Sequence, residues 1–295
     1  MAEKCILCPR KCGVDRDVSL GVCGVGNELK IAKVMLHMWE EPSISGKRGS
    51  GAIFFSGCSL GCVYCQNREI SHTGMGKTVS VRELADIMLD LQARGAHNIN
   101  LVTPTHYSHK IKEAISVAKD KLKIPVVYNT SGYELCEEIE TLRGYVDVFL
   151  VDIKYFSPEL SKKYSGASDY YERASQALLK MLELCPSVVL DGEGMIKSGV
   201  ILRHLVLPSL RADSMAMLSD VAKRVDVSRL KLSLMSQYTP DFCPEQFSEL
   251  RRRITSFEYD SVIKHAVSLG YDGYIQDKSS SNKVYTPDFG EYFSN

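Results

Sequence analysis

Short apolar runs, each followed by polar or glycine-containing residues and then by an amphipathic stretch of helical length, fill this chain from residue 52 onward. The runs span residues 52–55, 98–102, 125–128, 146–151, 199–206 and 230–235. A strand covered on both faces reads as a continuous apolar run, and strands alternating with helix-length segments argue for repeated βα units. Helical patterns fall near residues 80–94, 108–120, 133–142, 170–184, 212–225 and 257–269. Val81, Leu84, Ala85, Ile87, Met88 and Leu91 give the first of them its apolar face. The expected fold class is α/β: a partial (βα)6 TIM-like barrel over residues 46–295, preceded by a small cysteine-rich lobe over residues 1–45. Within that lobe residues 29–34 read as a short strand, and residues 185–199, rich in glycine, read as an exposed excursion.

In a parallel barrel the loops after the strands gather on one face, where chemistry is normally placed. Here they carry Ser56-Gly57-Cys58, Thr103-Pro104-Thr105-His106, Asn129-Thr130-Ser131-Gly132, Asp152-Ile153-Lys154, Leu207-Pro208-Ser209 and Ser236-Gln237-Tyr238.

Charge and cysteine usage narrow the function classes. Lys+Arg and Asp+Glu both number 36, so no net field draws in nucleic acid or an anionic membrane, and neither is expected as a partner. Apolar stretches stay far below the roughly 20 residues a spanning helix needs, and the first residues lack the apolar run of a secretory signal, so a cytoplasmic protein is expected. In a reducing compartment the 10 cysteines do not read as a disulfide framework. Cys136, Cys185 and Cys243 stand alone and read as small buried hydrophobes, whereas the other seven lie within the first 65 residues.

Three of those seven fall in Gly57-Cys58-Ser59-Leu60-Gly61-Cys62-Val63-Tyr64-Cys65-Gln66-Asn67, on the loop after the first barrel strand. Thiolates select soft metals, so zinc, copper(I) and iron–sulfur clusters are the options for Cys58, Cys62 and Cys65. A structural zinc site closes with a fourth ligand, and none follows at the usual interval, His72 being the nearest candidate. Three thiols without a fourth suit a cubane with one iron left open.

These residues match the Cx3CxΦC signature of the radical S-adenosylmethionine superfamily, with Tyr64 as the aromatic Φ, and the chain resembles that superfamily. Cys5-x2-Cys8-Pro9-Arg10-x-Cys12, Gly21-Val22-Cys23-Gly24, Glu40-Glu41-Pro42, Cys65-Gln66-Asn67, the 98–106 segment and Arg203-His204-Leu205-Val206-Leu207-Pro208 extend the resemblance to the branch related to pyruvate formate-lyase activating enzymes, its PflX-type members. The resemblance implies a 4Fe-4S cluster on Cys58, Cys62 and Cys65, with S-adenosylmethionine chelating the fourth iron. It also implies reductive cleavage to a 5′-deoxyadenosyl radical, a flavodoxin or ferredoxin-type electron donor and, in the activating enzymes, a glycyl-radical protein as target. A radical reaction on a small molecule, a peptide or an RNA base is the alternative, and an iron–sulfur electron carrier or scaffold is the non-enzymatic one.

The same resemblance implies cofactor contacts for Tyr64 and for the D-x-K pair Asp152 and Lys154, whose side chains period-two alternation sends to one face; a structural ion pair is the competing reading. Asn129 heads a loop resembling the family's polar third-strand loop, and the fork of Arg203 suits a carboxylate. His204 points to the opposite side of its strand and reads equally as a core histidine or a ligand. Where the family carries Gly-Gly-Glu, this chain has Thr103-Pro104-Thr105-His106, so Thr103 and Thr105 are the available acceptors for the cofactor's amino group. His106 and His109 face substrate or are solvated loop histidines.

Cys5, Cys8, Cys12 and Cys23 supply four thiols, enough for one tetrahedral zinc or one auxiliary cluster, and the spacing leaves both open.

Overall fold

The computed structural model describes residues 4–277 and Phe289. Residues 1–3 of the expected lobe, and residues 278–288 and 290–295 of the expected barrel unit, lie outside the described residues.

The strands are β1 (Lys30–His37), β2 (Ser50–Phe55), β3 (Lys77–Thr78), β4 (Ile99–Val102), β5 (Val126–Thr130), β6 (Val148–Asp152), β7 (Val189–Leu190), β8 (Ile196–Leu205), β9 (Leu230–Met235) and β10 (Gly273–Ile275). The α-helices are α1 (Pro42–Ser45), α2 (Arg68–Thr73), α3 (Val81–Ala93), α4 (Ser108–Ala118), α5 (Cys136–Glu140), α6 (Pro158–Ser165), α7 (Tyr170–Leu184), α8 (Arg211–Arg224) and α9 (Ser256–Ser268). The sheet runs β10-β9-β8-β6-β5-β4-β2-β1-β3 and does not close. From β2 to β10 every neighbour in that order is parallel, whereas β1 lies antiparallel on β2 and carries β3 on its far side. The architecture is the expected α/β partial barrel. A seventh parallel strand, β10, lengthens the arc, and residues 185–199 form the exposed β7–β8 hairpin.

Local chemistry sets several of these elements. Ser80 and Glu83 form a reciprocal capping box at the start of α3, as do Thr255 and Glu258 at α9, each satisfying amide groups that a helix start leaves unpaired. Glycine in the left-handed region ends α2 at Gly74 and α6 at Gly166.

Strand alternation divides the core into two faces. Outward residues such as Phe149, Val151, Tyr128 and Leu101 join the large cluster beneath the helices. Inward residues Val127, Val148, Leu150 and Ile201 close around Ile44 of α1, which plugs the N-terminal end of the arc. Ile44 is wholly buried, worth roughly 1.5–3 kcal/mol for such a side chain. The plug is pinned by the Asn98 amide donating to the Ile44 carbonyl at 2.7 Å and by Tyr274 Oη on Ser43 Oγ at 2.7 Å. A third cluster, Ala32, Ala52, Phe54, Ile70, Val102 and Phe289, lines the interior on the β2–β4 side.

Among the described residues no helix is long and apolar enough to cross a membrane. Residues 30–37, read from sequence with the first 45, hydrogen bond along β2 as part of the main sheet.

Candidate active site

The loop from β2 to α2 carries Cys58, Cys62 and Cys65, all free thiols. It leaves the sheet through Gly57, whose φ of +87° is open to glycine; an added Cβ would sit 2.6 Å from the Cys23 carbonyl oxygen. Each sulfur already accepts a hydrogen bond: from the Leu60 amide to Cys58 at 3.4 Å, from Ser165 Oγ to Cys62 at 3.0 Å, and from Ser71 Oγ to Cys65 at 3.5 Å. The C-terminal end of α6 holds the loop a second time, because the Val63 amide donates to the Tyr164 carbonyl at 2.9 Å.

Burial pushes the Cys65 thiol up to about 12 and raises that of Cys62, the positive charge of Lys154 working against the shift at Cys62. Burial disfavours the thiolate form at Cys62 and Cys65, and a metal with several positive charges would favour it. An all-sulfur donor set with hydroxyl and amide donors on the sulfurs fits an iron–sulfur cluster. Among the described residues no group of three or more His, Cys, Asp or Glu side chains is gathered closely enough to hold a single metal ion.

Beside the thiols lies a polar ring on the inner face of the sheet. Asp152, the last residue of β6, pairs in register with Arg203 on β8. Arg203 donates through Nε to Asp152 at 2.7 Å, through Nη1 to Glu40 at 3.0 Å and through Nη2 to the Asn129 side-chain oxygen at 2.6 Å. Lys154 Nζ reaches the other Asp152 oxygen at 2.6 Å. Asn100 and Asn129 both donate to Glu40 Oε1, at 3.1 and 3.3 Å. Burial would raise the Asp152 carboxyl, yet the guanidinium of Arg203 and the ammonium of Lys154 hold it below its ordinary value. Burial works against the charge on Lys154 too, and Asp152 with Cys62 outweighs it, raising that group.

The structure thus brings Asn129, Asp152, Lys154 and Arg203 together beside Cys62. Glu40 and Asn100 are members that the sequence reading did not single out. Glu41 lies next to them, buried, with one carboxylate oxygen lacking a hydrogen-bond partner; burial, ahead of its charged neighbours, raises its carboxyl.

Tyr64 sits elsewhere than an open aromatic wall. It is 6% exposed and accepts a 2.7 Å hydrogen bond from Tyr155, within edge-on contact of Tyr155 and Tyr238. Tyr155 Oη also bonds Ser165 Oγ at 2.9 Å, so the tyrosine group backs the Cys62 sulfur. Tyr170 Oη donates to the Ser131 and Asp152 carbonyls at 2.7 and 2.9 Å and accepts from the Lys154 amide at 3.0 Å, tying the ends of β5 and β6 together.

At the end of β4, Thr103 has a φ of +60°, a conformation that β-branched residues rarely adopt. Its amide donates to the Asn129 carbonyl at 2.9 Å. Thr105 turns away from the ring to buried Glu134, at 2.6 Å, and Thr130 bonds the same carboxylate oxygen. The two loop histidines do not face the ring. His106 is 2% exposed, with Nε2 on the Ser56 carbonyl at 2.8 Å, and His109 on α4 lines an outer cleft of about 380 Å³. His204 is a core histidine: its nitrogens meet the Ile153 carbonyl at 2.7 Å and Ser214 Oγ at 2.8 Å.

Three comparisons bear on this arrangement. Residues 52–195 match the model of the Radical SAM superfamily. The chain is 29% identical over 280 residues to the uncharacterized protein MJ0674 of Methanocaldococcus jannaschii, covering 92% of this chain and 76% of that protein. Among solved structures, methylornithine synthase (PylB) is similar with a TM-score of 0.51 at 12% identity, over 89% of this chain and 71% of that one. SuiB of Streptococcus suis, solved bound to precursor peptide SuiA, has a TM-score of 0.46 at 13% identity over 75% of this chain. This chain spans 46% of that chain's length. The thiol loop that follows the first parallel strand lies within the segment that matches the Radical SAM superfamily model.

Proposed function

We propose that the chain is an enzyme that holds a 4Fe-4S cluster on Cys58, Cys62 and Cys65 and cleaves S-adenosylmethionine reductively, so that a hydrogen atom is taken from a second substrate. The reading rests on one observation: three thiols from a single loop stand beside the charged ring of Glu40, Asp152, Lys154 and Arg203 on the inner face of the sheet. Held on Cys58, Cys62 and Cys65, such a cluster would supply the single electron that reductive cleavage of the sulfonium requires.

The chain's own groups bind, orient and exclude water. Lys154 and Arg203 are cations able to pair with the methionine carboxylate, and their link to Asp152 keeps both heads in place before substrate arrives. Asp152 and Asn129 offer acceptor oxygens to ribose hydroxyls. Thr103, held at the mouth of β4, offers a hydroxyl and a carbonyl to the amino group. Tyr64, Tyr155 and Tyr238, all buried, keep the back of the thiol loop dry. Anaerobic protein reduced with dithionite and given S-adenosylmethionine is expected to form 5′-deoxyadenosine; none formed with the cluster reduced would overturn the reading.

At a finer level, the resemblance of Glu40-Glu41-Pro42, Cys65-Gln66-Asn67 and the 203–208 segment to the activating-enzyme branch supports hydrogen abstraction from a glycine of a partner polypeptide, with electrons from a flavodoxin or ferredoxin-type protein, whereas the four N-terminal cysteines weigh toward a different substrate because a simple activase needs only one cluster. A glycyl doublet in the electron paramagnetic resonance spectrum of a glycyl-radical protein incubated with the enzyme is the expected result. Absence of that doublet with every such protein of the host would favour a small-molecule, peptide or RNA substrate instead.

A further inference from the structure

Residues 4–29 contain no helix or strand. Up to residue 24 the apolar side chains Ile6, Val18, Leu20 and Val22 are 62%, 79%, 67% and 60% exposed, whereas Val25 and Leu29 at the end of the segment are buried in the main core. Within residues 4–24 the buried side chains are Cys8, Arg16 and Cys23. A segment this short with no apolar core of its own needs a cross-link to keep a fixed shape, and its cysteines are free thiols.

The thiols are neighbours. Cys5 and Cys12 sit on one tight loop, closed by the Cys5 amide on the Val14 carbonyl at 2.9 Å and the Gly13 amide on the Cys5 carbonyl at 3.0 Å. A Cβ added to Gly21 would lie 3.1 Å from the Cys23 sulfur and 3.6 Å from the Cys12 sulfur. Cys8 is within electrostatic reach of both Cys23 and Cys5. Two tight turns carry them, one closed by the Lys11 amide on the Cys8 carbonyl at 3.0 Å and one by the Gly24 amide on the Gly21 carbonyl at 2.9 Å. The four do not close on a single-ion geometry as they stand, so a bound metal would draw them inward.

This lobe also grips the catalytic loop directly. The Cys58 amide donates to the Cys23 carbonyl at 3.0 Å. Arg10, between Cys8 and Cys12, donates through Nε to the Ser59 carbonyl at 2.8 Å, through Nη2 to the Ser165 carbonyl at 2.8 Å and through Nη1 to the Gly166 carbonyl at 2.5 Å. A cation on these last carbonyls of α6 is favoured by the helix dipole. Ser165 is the residue whose hydroxyl bonds the Cys62 sulfur.

We propose that Cys5, Cys8, Cys12 and Cys23 bind a thiolate metal centre, zinc or iron–sulfur, and that its occupancy fixes the loop bearing Cys58, Cys62 and Cys65, with Arg10 as the positioning residue. The second half rests on the catalytic reading of that loop; the first does not. A centre in the lobe gives the short segment the staple it lacks, and through Arg10 and Cys23 it transmits that rigidity to residues on both sides of Ser59.

The test uses the full chain, prepared anaerobically, with Cys58, Cys62 and Cys65 all changed to Ala so that any tightly held metal belongs to the lobe. Metal analysis is expected to find about one zinc ion, or iron with matching sulfide, per chain, and to lose it on the further change Cys8→Ser. Zinc assigns a structural ion and iron a cluster; both support the site. No metal, or a disulfide among the four cysteines, overturns it. Should the triple variant fold poorly, the chain with all three catalytic cysteines intact serves, its metal content expected to fall by the lobe's share in Cys8→Ser. In that chain Arg10→Gln is expected to shift the paramagnetic resonance spectrum of the reduced catalytic cluster while the far-UV circular dichroism stays the same. An unshifted spectrum overturns the positioning role. Metal retained in the triple variant while the native chain makes no 5′-deoxyadenosine would remove the catalytic reading and leave the lobe site standing.

Discussion

Arg203 Nε and the Asp152 carboxylate meet at 2.7 Å on facing register positions of two adjacent parallel strands, and the same guanidinium reaches Glu40 and Asn129. Both partners are largely shielded, Arg203 at 13% and Asp152 at 16% side-chain exposure. Breaking a buried pair by removing one partner leaves an uncompensated charge and costs about 3–5 kcal/mol. Asp152→Ala is therefore expected to lower the urea midpoint strongly. Arg203→Lys keeps the charge, loses the three-way fork and should weaken S-adenosylmethionine binding more than it weakens the fold; titration calorimetry alongside chemical denaturation separates the two effects.

Cysteine substitutions divide by position. Cys58→Ala, Cys62→Ala and Cys65→Ala are each expected to reduce 5′-deoxyadenosine formation to background. Cys136→Ala, at the start of α5 and outside the thiol loop, should leave it nearly unchanged. Equal turnover by all four variants would contradict the assignment of the cluster loop.

Thr103 is the place to look for stored backbone strain. A β-branched residue held at φ +60° carries a penalty of about 1–3 kcal/mol that glycine does not. Thr103→Gly is expected to be neutral or to stabilise by up to about 1 kcal/mol after its larger unfolded-state entropy is counted. If this substitution destabilises by several kcal/mol, the strain is absent and the Thr103 hydroxyl is holding the fold.

Glu134 gives the protein a pH signature. Burial raises its carboxyl to about 7, against the hydrogen bonds from Thr105 and Thr130, with Glu138 and Tyr128 as titratable neighbours. Because the folded-state value lies above the unfolded one, its contribution is fully present below about pH 4.5 and is lost as pH rises through about 7. Glu134→Gln cannot ionise, so its stability should fall less than the native chain's between those limits, by on the order of 1–3 kcal/mol. Parallel stability curves for the two proteins across this range would contradict the assignment.

Much of the fold was legible because buried parallel strands write themselves as apolar runs. All six expected strands occur as β2, β4, β5, β6, β8 and β9. β10 went unread because Gly273-Tyr274-Ile275 is too short and too mixed to stand out from a loop. Alternation correctly put Asp152 and Lys154 on one face, where they touch. The role of Glu40 was hidden, since a residue after β1 enters the ring only through long-range contacts with β4, β5 and β8. Loop residues were least readable: His106 and His109 look alike in sequence, and packing alone decides that one is buried behind β2 while the other faces an outer cleft.

The most direct test of the account is the paramagnetic resonance spectrum of the anaerobically reconstituted, reduced protein recorded with and without S-adenosylmethionine. A 4Fe-4S signal whose shape changes on adding the sulfonium, and which vanishes in Cys62→Ala, is the predicted result. Protein that holds zinc on Cys58, Cys62 and Cys65, or a cluster signal indifferent to S-adenosylmethionine, would contradict it.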